Sequence, residues 1–354
     1  VYGSFCQLQI LFNSQVVENI TDYNIVCQDL VNIKTTAAQK VGLSQAFGIG
    51  GTATAFAFNS VNGRTLTATP DAFTMSAPLP CILSQAESYV PLFLFGSVRI
   101  ILTLDTLANI FNGGANIPTA WNISNFELCY DVINFDPQVE ALYSSMANQN
   151  GKIIVKSSSW ATGSQPLATG SSGSFQLPYN YRLASVKSLL LHNSPAIATS
   201  ATSNGKFDSV DVSSSNGSYQ FECASMLYPP RPLDTSQNKN GIISELCLAL
   251  FGNRNIASAD LGMTPGTWNV TSTSYGAGGA VTSSAPGLFM CAVNVERVPT
   301  SSSMLTGVST LLSPINVRLN LNTATSQAQQ IRLFAYYDAL MEIDVNTRDV
   351  KILQ

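Results

Sequence analysis

The sequence predicts an all-β protein made of two consecutive domains of one kind. Three observations carry that prediction. Short segments that alternate, or that are rich in β-branched and aromatic residues, recur along the chain between Ser, Gly and Asn turns. Only 11% of the 354 residues are charged, against about 25% in an average soluble domain, so long charged helix faces are not expected. The chain also writes one ending twice. NFELCYDVINFD at 125–136 and IRLFAYYDALMEIDV at 331–345 are both apolar runs with a Tyr-Asp pair, Tyr130-Asp131 and Tyr337-Asp338.

The elements follow in order. FCQLQILF at 5–12 alternates as a strand. Residues 36–47 suit a short helix or a loop. TATAFAF at 52–58 alternates small and large residues and reads as a strand, and 64–74 suggests one or two short strands around Pro70. Ile82, Ala86 and Tyr89 give 81–89 a weak helical pattern. VRIILTL at 98–104 is a strand by its composition, and FNGGANIP at 111–118 is a loop. Residues 125–134 read as the strand that closes this half.

Asp136-Pro137 is a helix start: an Asp cap, then a proline whose missing N–H costs nothing in the first turn. Val139, Leu142 and Met146 give that helix one apolar stripe, and NQNG at 148–151 ends it. The second half restarts with a strand at 152–158, then a low-complexity stretch, ATGSQPLATGSSGS at 161–174, read as a surface loop like 271–284. Further strands are expected at 186–192, 219–227, 288–298, 314–321 and from Ile331, with turns at HNSPA, 192–196, and at 198–205. GIISELCLALF at 241–251 suits a helix.

Aligned, VRIILTLDT from Val98 matches VRLNLNTAT from Val317, and FELCYDVI from Phe126 matches LFAYYDAL from Leu333. Each pair follows a candidate helix. The unit exceeds a hundred residues, too long for a solenoid period of roughly 20–50. An all-β domain of this size with about eight strands is a sandwich or jelly roll. The Tyr-Asp pair reads as structural: Tyr buries its ring with the hydroxyl on a partner, and Asp accepts from a backbone N–H.

Composition narrows function. A net charge of -4, with 17 Lys and Arg in no run, argues against a surface that coats nucleic acid. YVPLFLFGSVRIILTL at 89–104 carries Pro91, Gly96 and Arg99 and does not read as a membrane span. The seven cysteines, scattered and without a CxxC pair, read as buried reduced thiols. The single histidine, His192, excludes a multi-His metal site within one chain, and any Ser-His-Asp triad would have to use it; it reads as a strand-end residue. GIGGTA at 48–53 fits GxGxxA in letters, but a strand rather than a helix follows, so it reads as a turn. Sequons at Asn19, Asn122, Asn216 and Asn269 matter only for a secreted chain. No residue is assigned a catalytic, cofactor-binding or metal-binding role, and no cofactor is expected.

The series YVPLFLFGSVRIILTLDTLANIF, ISNFELCYDVINFDPQVEALYSS and GKIIVKSSSW resembles the middle of a double jelly-roll major capsid protein of the tectivirus–adenovirus lineage of tailless icosahedral viruses. The terminal IRLFAYYDALMEIDVNTRDVKIL resembles the closing strands of the second barrel. The resemblance covers 89–160 and 314 to the end. It implies two consecutive eight-stranded jelly-roll barrels, at 1–135 and 151–354, with short helices in loops and a helical linker at 136–150. It further implies a non-enzymatic viral coat protein of the virion, homotrimerising into pseudo-hexagonal capsomers that tile an icosahedral shell. The implied partners are copies of itself, neighbouring capsomers, penton or minor capsid proteins and an internal membrane, which often lies beneath such shells, with no direct sequence-specific nucleic-acid binding. A competing reading is a receptor- or glycan-binding β-sandwich spike or fibre head, which would show a concave aromatic-lined site. A third is a β-sandwich hydrolase, which lacks a visible carboxylate pair.

Overall fold

Alternation decides the first strand. β1 (Phe5–Phe12) buries Phe5, Leu8, Ile10 and Phe12 and turns back at Asn13-Ser14 into β2 (Gln15–Thr21). Both turn residues have positive φ, 46° and 71°, as a two-residue hairpin loop requires. α1 (Tyr23–Lys34) follows and buries Ile25, Val26, Cys27 and Ile33. The short strands β3 (Phe58–Asn59) and β4 (Gly63–Arg64) pair with each other, and β5 (Val98–Leu104) completes a sheet of order β2-β1-β5. These details come from a computed structural model, which describes residues 2–36, 39, 58–59, 63–64, 76–94, 97–106, 109, 122–196, 206–207, 209–213, 216–235, 239–252, 289–297 and 305–354.

α2 (Pro137–Asn150) begins where its cap predicts, with the Gln138 N–H donating to Asp136 Oδ1 at 2.9 Å. Then come β6 (Lys152–Leu167), β7 (Gly173–Tyr179), β8 (Val186–Pro195), β9 (Gly217–Cys223) and β10 (Met226–Asp234). α3 (Lys239–Phe251) leads to β11 (Met290–Asn294), β12 (Ile315–Leu321), β13 (Gln329–Asp344) and β14 (Val350–Leu353). One sheet runs β6-β13-β8-β11 and the other β7-β12-β9-β10, with every neighbour antiparallel. Counted within this half, the orders are 1-8-3-6 and 2-7-4-5, the strand order of an eight-stranded jelly roll. β14 extends the edge of β13 beyond the reach of β8.

The core lies between and around these sheets. β12 alternates, burying Ile315, Val317, Leu319 and Leu321. β8 is buried along both faces apart from Lys187, because α3 packs on one side of it and α1 reaches it through Asp29. Each fully buried large apolar side chain contributes about 1.5–3 kcal/mol relative to exposure. β13 is the longest strand, equal to β6, and every residue of it faces a β6 partner, from Gln329 opposite Leu167 to Asp344 opposite Lys152.

Several expectations are corrected. Residues 125–134 form no strand, and Phe126, Leu128, Tyr130 and Val132 are exposed. Residues 81–89 form turns rather than a helix: the Ile82 N–H donates to Glu18, and the Ser84 hydroxyl takes the Leu79 carbonyl. The low-complexity stretch at 161–174 is mostly strand, since the long partner β13 extends the ladder to Leu167. Gly163 fits a close approach there, as an added Cβ would stand 2.7 Å from the Tyr181 hydroxyl. HNSPA is not a turn, because β8 continues through Pro195. Residues 219–227 hold two strands, hinged at Ala224 and Ser225 with positive φ. Two residues of the stripe on α2, Val139 and Leu142, are exposed. Of the cysteines, Cys27, Cys81, Cys223, Cys247 and Cys291 are buried thiols, but Cys6 is half-buried and Cys129 exposed. Residues 40–57, 65–74, 111–118, 198–205 and 271–284, including GIGGTA and nearly all of TATAFAF, lie outside the described residues, as does Asn269. Among the described residues no helix is long and apolar enough to cross a membrane.

Candidate functional site at the junction with the jelly roll

α1 presents Asp29 to β8, where His192 is fully buried inside the strand rather than at its end. His192 Nδ1 lies 2.9 Å from Asp29 Oδ2, and Nε2 lies 3.2 Å from the Lys206 carbonyl oxygen. Both ring nitrogens thus lie within hydrogen-bond distance of an oxygen, and no serine hydroxyl bonds to the ring among the described residues. The geometry is that of a clasp and not of a nucleophile with its base.

A chain of charges continues from it. Lys206 pairs with Asp105 at 2.7 Å and with Asp22 at 3.6 Å, and Asp22 also meets Arg332 of β13 at 3.3 Å. Asn24 on α1 donates to Asp105 at 2.8 Å. Burial pushes the Asp105 carboxyl up, but donation from Lys206 and Asn109, together with the Lys206 charge, outweighs it and leaves the group below its ordinary range. The three ion pairs here join residues before α2 to residues after it, and the Asn24–Asp105 bond braces them from within the first part.

A second polar contact ties β2 to the jelly roll. Glu18 is buried and accepts from the Ile82 N–H at 3.0 Å on each oxygen, and from the Ser159 hydroxyl of β6. Beside it, between α1 and α3, a cavity of about 320 Å³ is lined by Leu30, Val31, Pro80, Trp160, Leu250 and Tyr336. The Trp160 and Tyr336 rings face each other across the β6–β13 pair, with centroids 4.8 Å apart. Among the described residues no three His, Cys, Asp or Glu side chains stand together as a metal site would need. These contacts tie the residues before α2 to the strands after it.

The Tyr-Asp pairs separate at this level. Tyr337 donates to Gln354 Oε1 at 2.9 Å, and Asp338 accepts from Ser185 at 2.6 Å and from the Thr306 N–H at 3.0 Å. Tyr130 and Asp131 stand in the exposed run. The charged partners of the junction lie far apart in the chain, up to 310 residues for Asp22 and Arg332, so local pattern carried no trace of them. One signal was readable. Asp22, Asp29 and Asp105 flank or interrupt apolar segments, where an acid needs a partner.

No protein-family model matches the sequence, and no curated protein matches it either. Solved structures do. PBCV-1 VP54, fitted into a cryo-EM reconstruction of the virophage Sputnik, matches 100% of this chain and 84% of its own, with a TM-score of 0.53 at 9% identity. The chain has the double jelly-roll fold. The Faustovirus major capsid protein shares this double jelly roll over 96% of this chain and 71% of its own, with a TM-score of 0.53 at 9% identity. A chain of the Sputnik virophage does so over 99% and 74%, with a TM-score of 0.50 at 13% identity. At such identities the double jelly roll is what is shared.

Proposed function

We propose that the protein is a viral major capsid protein: a structural subunit, not an enzyme, which trimerises into pseudo-hexagonal capsomers that tile an icosahedral shell. The observation that carries this reading is the whole-chain match in fold to a protein named as a major capsid protein, together with the jelly-roll strand order. In this reading residues 1–135 are the first barrel, 136–150 the linker and 151–354 the second barrel. Three copies then supply six barrels, and closed threefold symmetry satisfies the side faces.

The surface supports it. Phe126, Leu128, Tyr130, Val132, Val139 and Leu142 are exposed along one stretch of chain. Exposed large apolar side chains clustered in sequence suit contact with a neighbour. The sparse charge suits it too, since like-charged copies at high density repel. Partners would be neighbouring capsomers, vertex or minor shell proteins, and a membrane beneath the shell.

Electron microscopy of the purified protein under assembly-promoting conditions tests the proposal. Pseudo-hexagonal tiles or closed shells are expected. Dispersed single subunits at all concentrations, with no lattice, would refute it.

A further inference from the structure

The bulge in β2 sets up an unusual carboxylate. Ile10 faces Glu18 and Leu11 faces Val16, so Val17 is the extra residue. A bulge re-aims the side chains around it, and here Val17 and Glu18 are buried in succession, followed by Ile20. Glu18 therefore points inward, where three segments meet. Its own strand is one. The turn after Pro80 is the second, through the Ile82 N–H at 3.0 Å. β6 is the third, through Ser159, while Ser157 on the same face of β6 donates to the Ile82 carbonyl.

What distinguishes Glu18 from the other junction acids is the missing cation. Asp105 has Lys206 and Asp22 has Arg332. Among the described residues no Lys or Arg pairs with Glu18. The titratable groups nearest it are Cys81 on the turn and Tyr337 on β13. Burial, and then the Glu18 charge, push the Cys81 thiol up, and burial pushes Tyr337 up to about 12, so both are neutral near pH 7. On β6, Lys156 alternates to the opposite face and pairs with Glu87 at 3.0 Å. From β14, which also touches β2, Lys351 is exposed. Ionised Glu18 thus rests on hydrogen bonds alone, and a buried charge without a counter-ion is costly.

We propose that Glu18 is a proton-controlled latch between β2, the turn at Cys81–Gln85 and β6: protonated, it holds the N-terminal segment closed on the jelly roll, and ionised, it loosens that contact. The inference concerns the single chain and stands whether or not the chain builds a shell. Burial pushes the carboxyl up to about 7, although Ser159 and the Ile82 N–H pull it down. The folded value lies above the unfolded one, near 4.5. The contribution to closure is therefore fully present below pH 4.5 and is lost as pH rises through about 7. Asp105 has the opposite sense, since its folded value is depressed.

Two measurements on the intact chain test this. The first follows the Glu18 carboxyl carbon by NMR in protein labelled at its glutamates, with Glu18→Gln assigning the signal. A midpoint near neutrality is expected; a midpoint in the ordinary glutamate range overturns the latch. The second is hydrogen exchange, corrected for intrinsic rate, in the peptide containing Ile82 at pH 5.5 and 8.5. Protection should fall about tenfold or more on raising the pH, with a β12 peptide unchanged. Glu18→Gln should abolish that dependence. Ser159→Ala, which removes a donor to the ionised form, should move the midpoint higher, and it decides the case if Glu18→Gln does not fold. A wild-type dependence that survives either variant unaltered overturns the proposal.

Discussion

Tyr130-Asp131 and Tyr337-Asp338 are the same letters in similar apolar runs, and they end in opposite places. Tyr130 is 68% exposed in an irregular stretch, whereas Tyr337 is 5% exposed and Asp338 fully buried in a strand. The difference lies in the neighbours. β13 has β6 along its whole length on one edge, and β8 then β14 on the other. The run at 125–134 has no strand partner among the described residues. An alternating sequence offers a strand, and a backbone partner makes it one.

The contrast can be broken by substitution, most sharply in the apolar positions. Phe334→Ala in β13 should cost about 3–5 kcal/mol by urea denaturation, since it empties a fully buried site. Phe126→Ala in the exposed run should stay within about 0.5 kcal/mol of wild type in the dissociated chain. Equal costs would mean that both runs are packed alike. Next in size is Asp338→Ala, which strands the Ser185 hydroxyl and the Thr306 N–H in a buried setting and removes one partner of Lys187. A loss of about 3 kcal/mol is expected, with Asp131→Ala again close to neutral. Tyr337→Phe removes one hydrogen bond to Gln354 and should cost about 1 kcal/mol, while Tyr130→Phe should cost nothing measurable by the same titration.

The smallest effect concerns what joins the two regions. Asp105 is held below its ordinary value in the folded chain. Its contribution is therefore present above about pH 4 and lost as the pH falls through the folded value. Thermal melts between pH 5 and 2 should show a steeper acid loss for wild type than for Asp105→Asn. Identical slopes would remove Asp105 from the junction.

Much of the second half was legible in the letters. The alternation of β12, the Asp-Pro start of α2 and the apolar run of α3 each became the element expected. α1 was missed, although Val26, Leu30 and Ile33 recur at helical spacing in its sequence. The β9–β10 hairpin was read as one strand because its turn uses Ala224 and Ser225 at positive φ, without the Asn-Gly signal that usually marks it. The helix expected at 81–89 stops after one turn, the Gln85 N–H donating to the Cys81 carbonyl at 3.0 Å, while Glu18 holds the Ile82 N–H and fixes that turn on β2. At the junction the acids within apolar segments were readable, but their partners were not. His192 and Asp29 are 163 residues apart, and Ser159 and Glu18 are 141; only the folded chain brings them together.

In the proposed function this double jelly roll closes on two copies of itself. Light scattering behind a sizing column measures that state in solution. A species of three times 37.7 kDa, about 113 kDa, that persists on dilution is expected of closed threefold symmetry. A clean monomer under assembly-promoting conditions would contradict it.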